Sequence, residues 1–238
     1  MALALACTEI AGDLGRVVAI DIVGSLNPSV EEGDTLQLRA RALDAAGDSV
    51  PEATIIWAIL DTGKVGFTLD TATGLVTADT VGQGRVRASV DNLVSGIVTV
   101  AVVPAPDSVA PVTEQRTTVA ATAVASPPLT VALYDLTSTP GQQLALANKP
   151  VHFDVVDPPP GSATAEGFFL ATTDTVPGPD PHRVVAMTGG TGQATATVRR
   201  QSGAMQPDSV IVDAVALTAR GDSVVGSPVR FVVLFESN

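Results

Sequence analysis

The chain has 238 residues, of which 45% are hydrophobic, 16% charged and 3% aromatic, and its net charge is −12. That length holds one large or two ordinary domains, and the apolar share supplies a sizeable core. An acidic chain without clustered Lys and Arg excludes a nucleic-acid surface, and its scattered acids, in turns such as Gly47-Asp48 and Gly221-Asp222, serve solubility.

Residues 1–16 come first as a tail and tether, with the sole cysteine, Cys7, inside them. One cysteine rules out a disulfide within the chain, so packing alone must stabilise the fold. Ala4-Leu5-Ala6 before Cys7 resembles the end of a bacterial lipoprotein signal peptide, in which the cysteine becomes the lipidated first residue. A working signal needs a basic start and an apolar core of about 7–15 residues. Neither precedes Cys7, so the expectation is a truncated start. The other reading, a short apolar tail with a free thiol, stays open. No segment approaches the roughly 18–20 apolar residues of a membrane span.

Val17 to Val23 reads as the first strand. Asn27-Pro28 and Glu31 to Asp34 are turn chemistry. Thr35 to Leu43 alternates with period two, Leu36, Leu38, Ala40 and Ala42 on the dry side and Gln37, Arg39 and Arg41 on the wet side. A turn at Gly47-Asp48 leads to the apolar run around Trp57, the only tryptophan. Lys64 to Leu69 is a short strand and Asp70 to Gly74 a turn. Leu75 to Ala78, Gly84 to Val90 and Ile97 to Val103 complete a first set. Pro104-Ala105-Pro106 marks the boundary, since its prolines cannot donate to a ladder and stiffen a link. The domains are therefore expected at 17–104 and 105–238.

In the second half, strands are expected at Val119 to Val124, Leu129 to Leu136, Val151 to Val156, Phe168 to Leu170, Val184 to Met187, Gln193 to Arg199, Asp208 to Leu217 and Val229 to Phe235. Pro158-Pro159-Pro160 and residues 173–182 are Pro-rich loops. Gly189-Gly190-Thr191-Gly192 is read as a hairpin turn. Short strands with turns about every 8–12 residues, and no helical period, make an all-β protein of two tandem sandwiches. Two echoes run across the halves. Ala46-Gly47-Asp48-Ser49-Val50 returns as Arg220-Gly221-Asp222-Ser223-Val224, marking turns. Pro106-Asp107-Ser108-Val109 returns as Pro207-Asp208-Ser209-Val210, marking strand entries.

Trp57, the run Asp70-x-x-Thr73-Gly74-Leu75-Val76-Thr77-Ala78, and Gly82-x-Gly84-x-Val86-x-Ala88 give residues 17–103 a specific pattern. This half resembles the bacterial immunoglobulin-like domain of group 2. Trp57, Gly74 and Gly84 are then expected in its structural core. The second half is similar, more loosely, to the group 1 relative of invasin- and intimin-type adhesins. The residues that carry this likeness are Asn148 to Phe153, Thr191 to Ala196 and Asp213 to Ala216. The resemblance implies surface or periplasmic modules that space, tether or adhere, and no chemistry.

Candidate sites are few. His152 and His182 are the only histidines, on a strand and in a loop, short of the ligand number a metal needs. The Gly189–Gly192 run lacks the Lys-Ser/Thr of a phosphate loop. Asp61, Asp70 and Asp79 form no dense calcium-ligating run. Arg220-Gly221-Asp222 spells an integrin-read tripeptide, but Ala46-Gly47-Asp48 shows that the turn selects Gly-Asp by itself. No G-x-S-x-G elbow occurs, and Trp57, flanked by Ile55, Ile56 and Ile59, reads as core rather than as a sugar platform. The expectation is a non-enzymatic, cofactor-free protein of the outer surface or periplasm, secreted or lipid-anchored through Cys7. Its role would be structural, spacing or adhesive, with a protein or glycan as partner. The alternative is a glycan- or protein-binding module that assembles into a fibre through edge strands.

Overall fold

The computed structural model describes residues 16–136, 142–163, 165–172, 179–201 and 207–236. The chain divides into two compact units, Met1–Val103 and Pro104–Asn238. Each is an immunoglobulin-like β-sandwich.

Unit 1 contains β1 (Ala19–Ile22), β2 (Ser29–Glu31), β3 (Thr35–Gln37), β4 (Ala40–Leu43), β5 (Ile56–Ile59), β6 (Phe67–Leu69), β7 (Leu75–Ala78), β8 (Gly82–Val90) and β9 (Leu93–Val103). Its larger sheet has the order β2-β9-β8-β5; facing it are β3-β7-β6 and the pair β1-β4. Period-two alternation explains β8, where Val86, Ala88 and Val90 turn inward while Arg85 and Arg87 turn outward. Trp57, Phe67, Val76, Val86, Val98 and Val100 form the centre of the core. The alternating run 35–43 is split at Leu38 and Arg39, because its first half pairs with β7 and its second with β1. β6 begins only at Phe67, since Gly66 at φ +83° turns the chain just before it.

Unit 2 contains β10 (Ser108–Pro111), β11 (Arg116–Val119), β12 (Leu129–Asp135), β13 (Leu144–Ala145), β14 (Pro150–Asp157), β15 (Phe168–Ala171), β16 (Arg183–Met187), β17 (Gln193–Arg200), β18 (Ser209–Ala216) and β19 (Val229–Phe235). One sheet has the order β10-β12-β17-β15 with β13 beside β12; the other is β11-β19-β18-β14-β16. Phe153, Phe168, Phe231, Leu129 and Leu133 lie fully buried between them. A 3-10 turn, Ala165–Gly167, leads into β15.

Two expectations are corrected here. The strand expected at 119–124 instead runs over Arg116–Val119, because its partner β19 ends at Phe235 and the chain then turns, Ala123 N–H donating to Ala120 O at 2.9 Å. Gly189–Gly192 is a tight turn, closed by Gly189 N–H on Gln193 O at 2.9 Å, but not a hairpin. β16 pairs with β14 and β17 pairs with β12 and β15, so this turn carries the chain from one sheet to the other.

Both units close in the same way. The first strand pairs antiparallel in one sheet, β1 with β4 and β10 with β12. The chain then crosses, and the next strand pairs parallel with the last strand of the unit. These parallel pairs are β2 with β9, at Ser29↔Ala101 to Glu31↔Val103, and β11 with β19, at Arg116↔Val232 to Val119↔Phe235. The Gly-Asp echo does not mark equivalent places. Gly47 and Gly221 share φ +87°, and Leu43↔Ser49 and Leu217↔Ser223 are matching bridges. Yet one turn follows β4 in unit 1, whereas the other joins β18 to β19 in unit 2. The echo is one turn type used twice.

Candidate functional site

Trp57 projects inward from β5 and is 3% exposed. Its indole lies against Gly74, whose φ of +74° closes the Asp70–Gly74 turn. An alanine Cβ there would stand 2.6 Å from the indole Nε1. Gly84 is as tightly held, since an added Cβ would meet Val65 Cβ at 2.7 Å and Phe67 Cε1 at 2.9 Å. A cleft of about 480 Å³ opens beside Trp57, among Gln37, Arg39, Ile55 and Thr73. The Gln37 amide is already spent on Leu38 O and Thr73 O, at 2.8 and 2.7 Å. With the indole buried, the cleft offers no aromatic face. All six phenylalanines are buried as well, and the single tyrosine, Tyr134, is half-buried on β12.

The three acidic turn residues have separate tasks. Asp61 accepts from Arg85, at 2.7 Å from Nη2 and 2.6 Å from the backbone N–H, and the guanidinium first and the amide second hold its carboxyl below the usual carboxylate range. Asp70 Oδ1 accepts the N–H groups of Thr73 and Ala72 at 3.0 and 2.9 Å, and these two bonds lower its pKa. Asp79 is exposed, and its N–H donates to Gly66 O at 2.8 Å. Among the described residues no group of three His, Cys, Asp or Glu is placed to hold a metal ion. His182 Nε2 lies 2.8 Å from the Ala165 carbonyl oxygen, so this nitrogen carries the proton, and the ring meets Phe168 edge-on at 5.5 Å. His152 lies on β14, between Val215 and Val185 on the neighbouring strands. Arg220, Gly221 and Asp222 are exposed at the tip of the β18–β19 turn. Cys7 lies outside the described residues. No helix among those residues is long and apolar enough to cross a membrane.

The structure also assembles two features with no local sequence signal. One is the pair of parallel closures. In unit 1 the ladder extends beyond β2, with Thr99 N–H on Leu26 O at 2.8 Å, Ala101 N–H on Pro28 O at 3.1 Å and Glu32 N–H on Val103 O at 2.9 Å. In unit 2 it runs from Val232 N–H on Gln115 O at 2.7 Å to Glu236 N–H on Val119 O at 3.0 Å.

The other feature is a charged row across the outer face of the sheet β11-β19-β18-β14-β16. Register places Arg230, Asp213, Asp154 and Arg183 side by side on β19, β18, β14 and β16. Arg230 grips Asp213 with two bonds of 2.8 Å, and Arg183 pairs with Asp154. Like charges directly opposite on neighbouring strands repel. The two aspartates stand in that relation, and each is neutralised from its outer side by an arginine. These contacts raise the pKa of both arginines, through the hydrogen bond to the carboxylate first and its charge second.

No protein-family profile matches the sequence, and no curated protein sequence matches it. Solved structures do align with it. The Yersinia pseudotuberculosis adhesin InvE aligns over 95% of this chain and 62% of its own, at 21% identity and a TM-score of 0.39. The Escherichia coli adhesin FdeC aligns over 92% and 63%, at 15% identity and TM-score 0.42. The fibronectin(III)-like modules of Clostridium thermocellum CbhA align over 91% and 94%, at 11% and 0.43. The chain thus spans just under two thirds of the length of the two adhesin chains it matches.

Proposed function

We propose that this is a non-enzymatic protein of the cell envelope, a structural, spacing or adhesive element whose two immunoglobulin-like units transmit tension along the chain. The parallel closure of both units carries the reading. A chain pulled at its ends draws β2 from its start and β9 from its end, in opposite senses along a shared axis. The bonds of a parallel ladder then take the force together, in shear. An antiparallel terminal pair would instead open one bond at a time. Forced unfolding is governed by the unfolding rate, so resistance depends on how many bonds must break at once. The joining segment suits the same role: Val103 O is held by Glu32, Asp107 N–H by Tyr134 O, and between them stand only Pro104, Ala105 and Pro106.

The group 2 and group 1 assignments of the two units, and anchoring through Cys7, belong to this proposal and rest on the sequence motifs. The partner is a protein or glycan at the surface. The test is to express the natural gene with its upstream sequence, label intact cells with a membrane-impermeant reagent, and weigh the membrane fraction. A labelled chain that begins at Cys7 and carries a lipid increment supports the reading; an unlabelled, unmodified cytoplasmic chain overturns it.

A further inference from the structure

β16 is an edge of the sheet β11-β19-β18-β14-β16. Its ladder to β14 is bracketed by Val155 N–H on His182 O and Thr188 N–H on Lys149 O, both at 2.9 Å. The bonds of an antiparallel ladder fall on every second residue. Val184 and Ala186 therefore bond to β14, while Arg183, Val185 and Met187 turn their N–H and C=O groups outward. Among the described residues no backbone group reaches the N–H of Val185 or Met187. The side chains of these two residues are 46% and 56% exposed.

Sheet edges are usually blunted by a lysine, a proline, a bulge or a covering segment. β16 contains no lysine or proline, and its register with β14 runs unbroken from Arg183 to Met187. Its one charge, Arg183, is paired with Asp154. Other edges are closed or guarded. Trp57 N–H on β5 is bound by Thr71 O at 2.8 Å, Val109 N–H on β10 by Val225 O at 2.9 Å and Leu170 N–H on β15 by Pro181 O at 2.8 Å. β11, at the far edge of the same sheet, bonds to β19 through Gln115 and Val119, which leaves exposed Arg116 and Thr118 on its open side.

We propose that β16 pairs antiparallel with β16 of a second copy of this chain, about a two-fold axis through Val185. In that register Val185 faces Val185, and Arg183 of each copy faces Met187 of the other. All the outward residues then fall in hydrogen-bonded pairs, each exchanging N–H and C=O with its opposite. The side chains agree with the backbone. On the outer face Val185 meets Val185 and the aliphatic stem of Arg183 lies along Met187; on the inner face Val184 meets Ala186. Two-fold symmetry makes this one register complete for both copies. Charge favours the same place. A net charge of −12 sets two copies against each other, yet residues 181–207 hold no Asp or Glu. The two Arg183 positions lie four residues apart along the paired strands, about 14 Å, beyond the screening length of roughly 8–10 Å. Each arginine keeps its own Asp154. The pairing uses up the open edge of both copies, so it closes as a dimer and does not extend into a fibre. A contact of one short strand a side belongs with the small interfaces, under about 1,200 Å² in total, so association is expected only at high concentration.

Sedimentation equilibrium of the full chain from micromolar to millimolar concentration, with amide hydrogen exchange at both ends of that range, tests this. The expected result is a monomer–dimer equilibrium in which the Val185 and Met187 amides exchange more slowly as the dimer forms. Val185→Pro removes an outward donor that the ladder to β14 does not use. It should leave the chain folded, by far-UV circular dichroism, and weaken the dimer at least about tenfold. Ile97→Lys, on an exposed site of unit 1, should leave the dimer unchanged. A chain that stays monomeric throughout, a dimer that leaves those two amides unprotected, a folded Val185→Pro chain that dimerises as before, or growth beyond the dimer would each overturn the proposal. Should Val185→Pro not fold, the exchange of the unaltered chain decides by itself.

Discussion

An alanine Cβ at position 74 would fall 2.6 Å from the indole Nε1 of Trp57, and the backbone there is already left-handed at φ +74°. Both obstacles act on one residue. The left-handed conformation costs a side-chain-bearing residue about 1–2 kcal/mol, and overpacking costs about 1–3 kcal/mol. Gly74→Ala should therefore destabilise unit 1 by roughly 2–5 kcal/mol on those terms. Denaturant unfolding followed by the fluorescence of Trp57 reads this directly, because it is the only tryptophan. Trp57→Ala, which opens a cavity instead, should cost about 3–5 kcal/mol, read by far-UV circular dichroism.

Gly84 is limited by space alone, since an added Cβ would meet the Val65 side chain at 2.7 Å. Gly84→Ala should cost about 1–3 kcal/mol. Val65→Ala removes the atoms in the way, so the double variant should be less destabilised than the sum of the singles, by a coupling of about 0.5–3 kcal/mol. Strict additivity would mean that the crowding is relieved elsewhere.

The hydrogen bonds to Asp70 and Asp61 lower both carboxyl pKa values in the folded chain. A lowered folded pKa gives stability that is present above the unfolded value of about 3.9 and is lost as pH falls through the folded value. Unit 1 should therefore lose stability below about pH 4, with no comparable loss from these groups above it. Asp70→Asn should flatten that decline, as measured by the denaturation midpoint of Trp57 fluorescence at successive pH values. An unchanged slope would remove Asp70 from the account.

Ion pairs in the two units differ in burial. The Asp213 side chain is 12% exposed beside Asp154, whereas Asp21, paired with Arg41, is 45% exposed. Arg230→Ala leaves an inner carboxylate uncompensated, and Arg41→Ala leaves one that water can solvate. Thermal unfolding should show a clearly larger loss for Arg230→Ala. Equal losses would mean that the charged row carries no special burden.

What the sequence discloses depends on how local the cause is. Strict alternation sufficed for β14 and β17, whose inward residues are buried on every second position. Trp57, Gly74 and Gly84 could be picked out because a turn and two glycines beside a lone tryptophan form a local pattern. β2 and β13 escaped, since they run to three and two residues and Asn27-Pro28 reads as turn chemistry, while β10 was marked only by its entry at Ser108-Val109 and β11 was expected too late in the chain. They are strands only because β9, β12 and β19 offer an edge at the right place, a property of distant sequence. The Gly189–Gly192 turn was misread as a hairpin for the same reason. Arg183, Asp154, Asp213 and Arg230 become neighbours through register alone, and none announces the others.

The parallel closures are tested most directly by pulling on single molecules. Unit 1 within the full chain should be stretched in two geometries, from the chain ends, and from cysteine handles at Glu31→Cys and Pro104→Cys that peel β2 from β9 at one end. If the closure works in shear, the unfolding force of the unit marked by Trp57 is clearly higher from the chain ends than in the peeling geometry. An equal or lower force from the chain ends would contradict the proposal that these units are built to transmit tension.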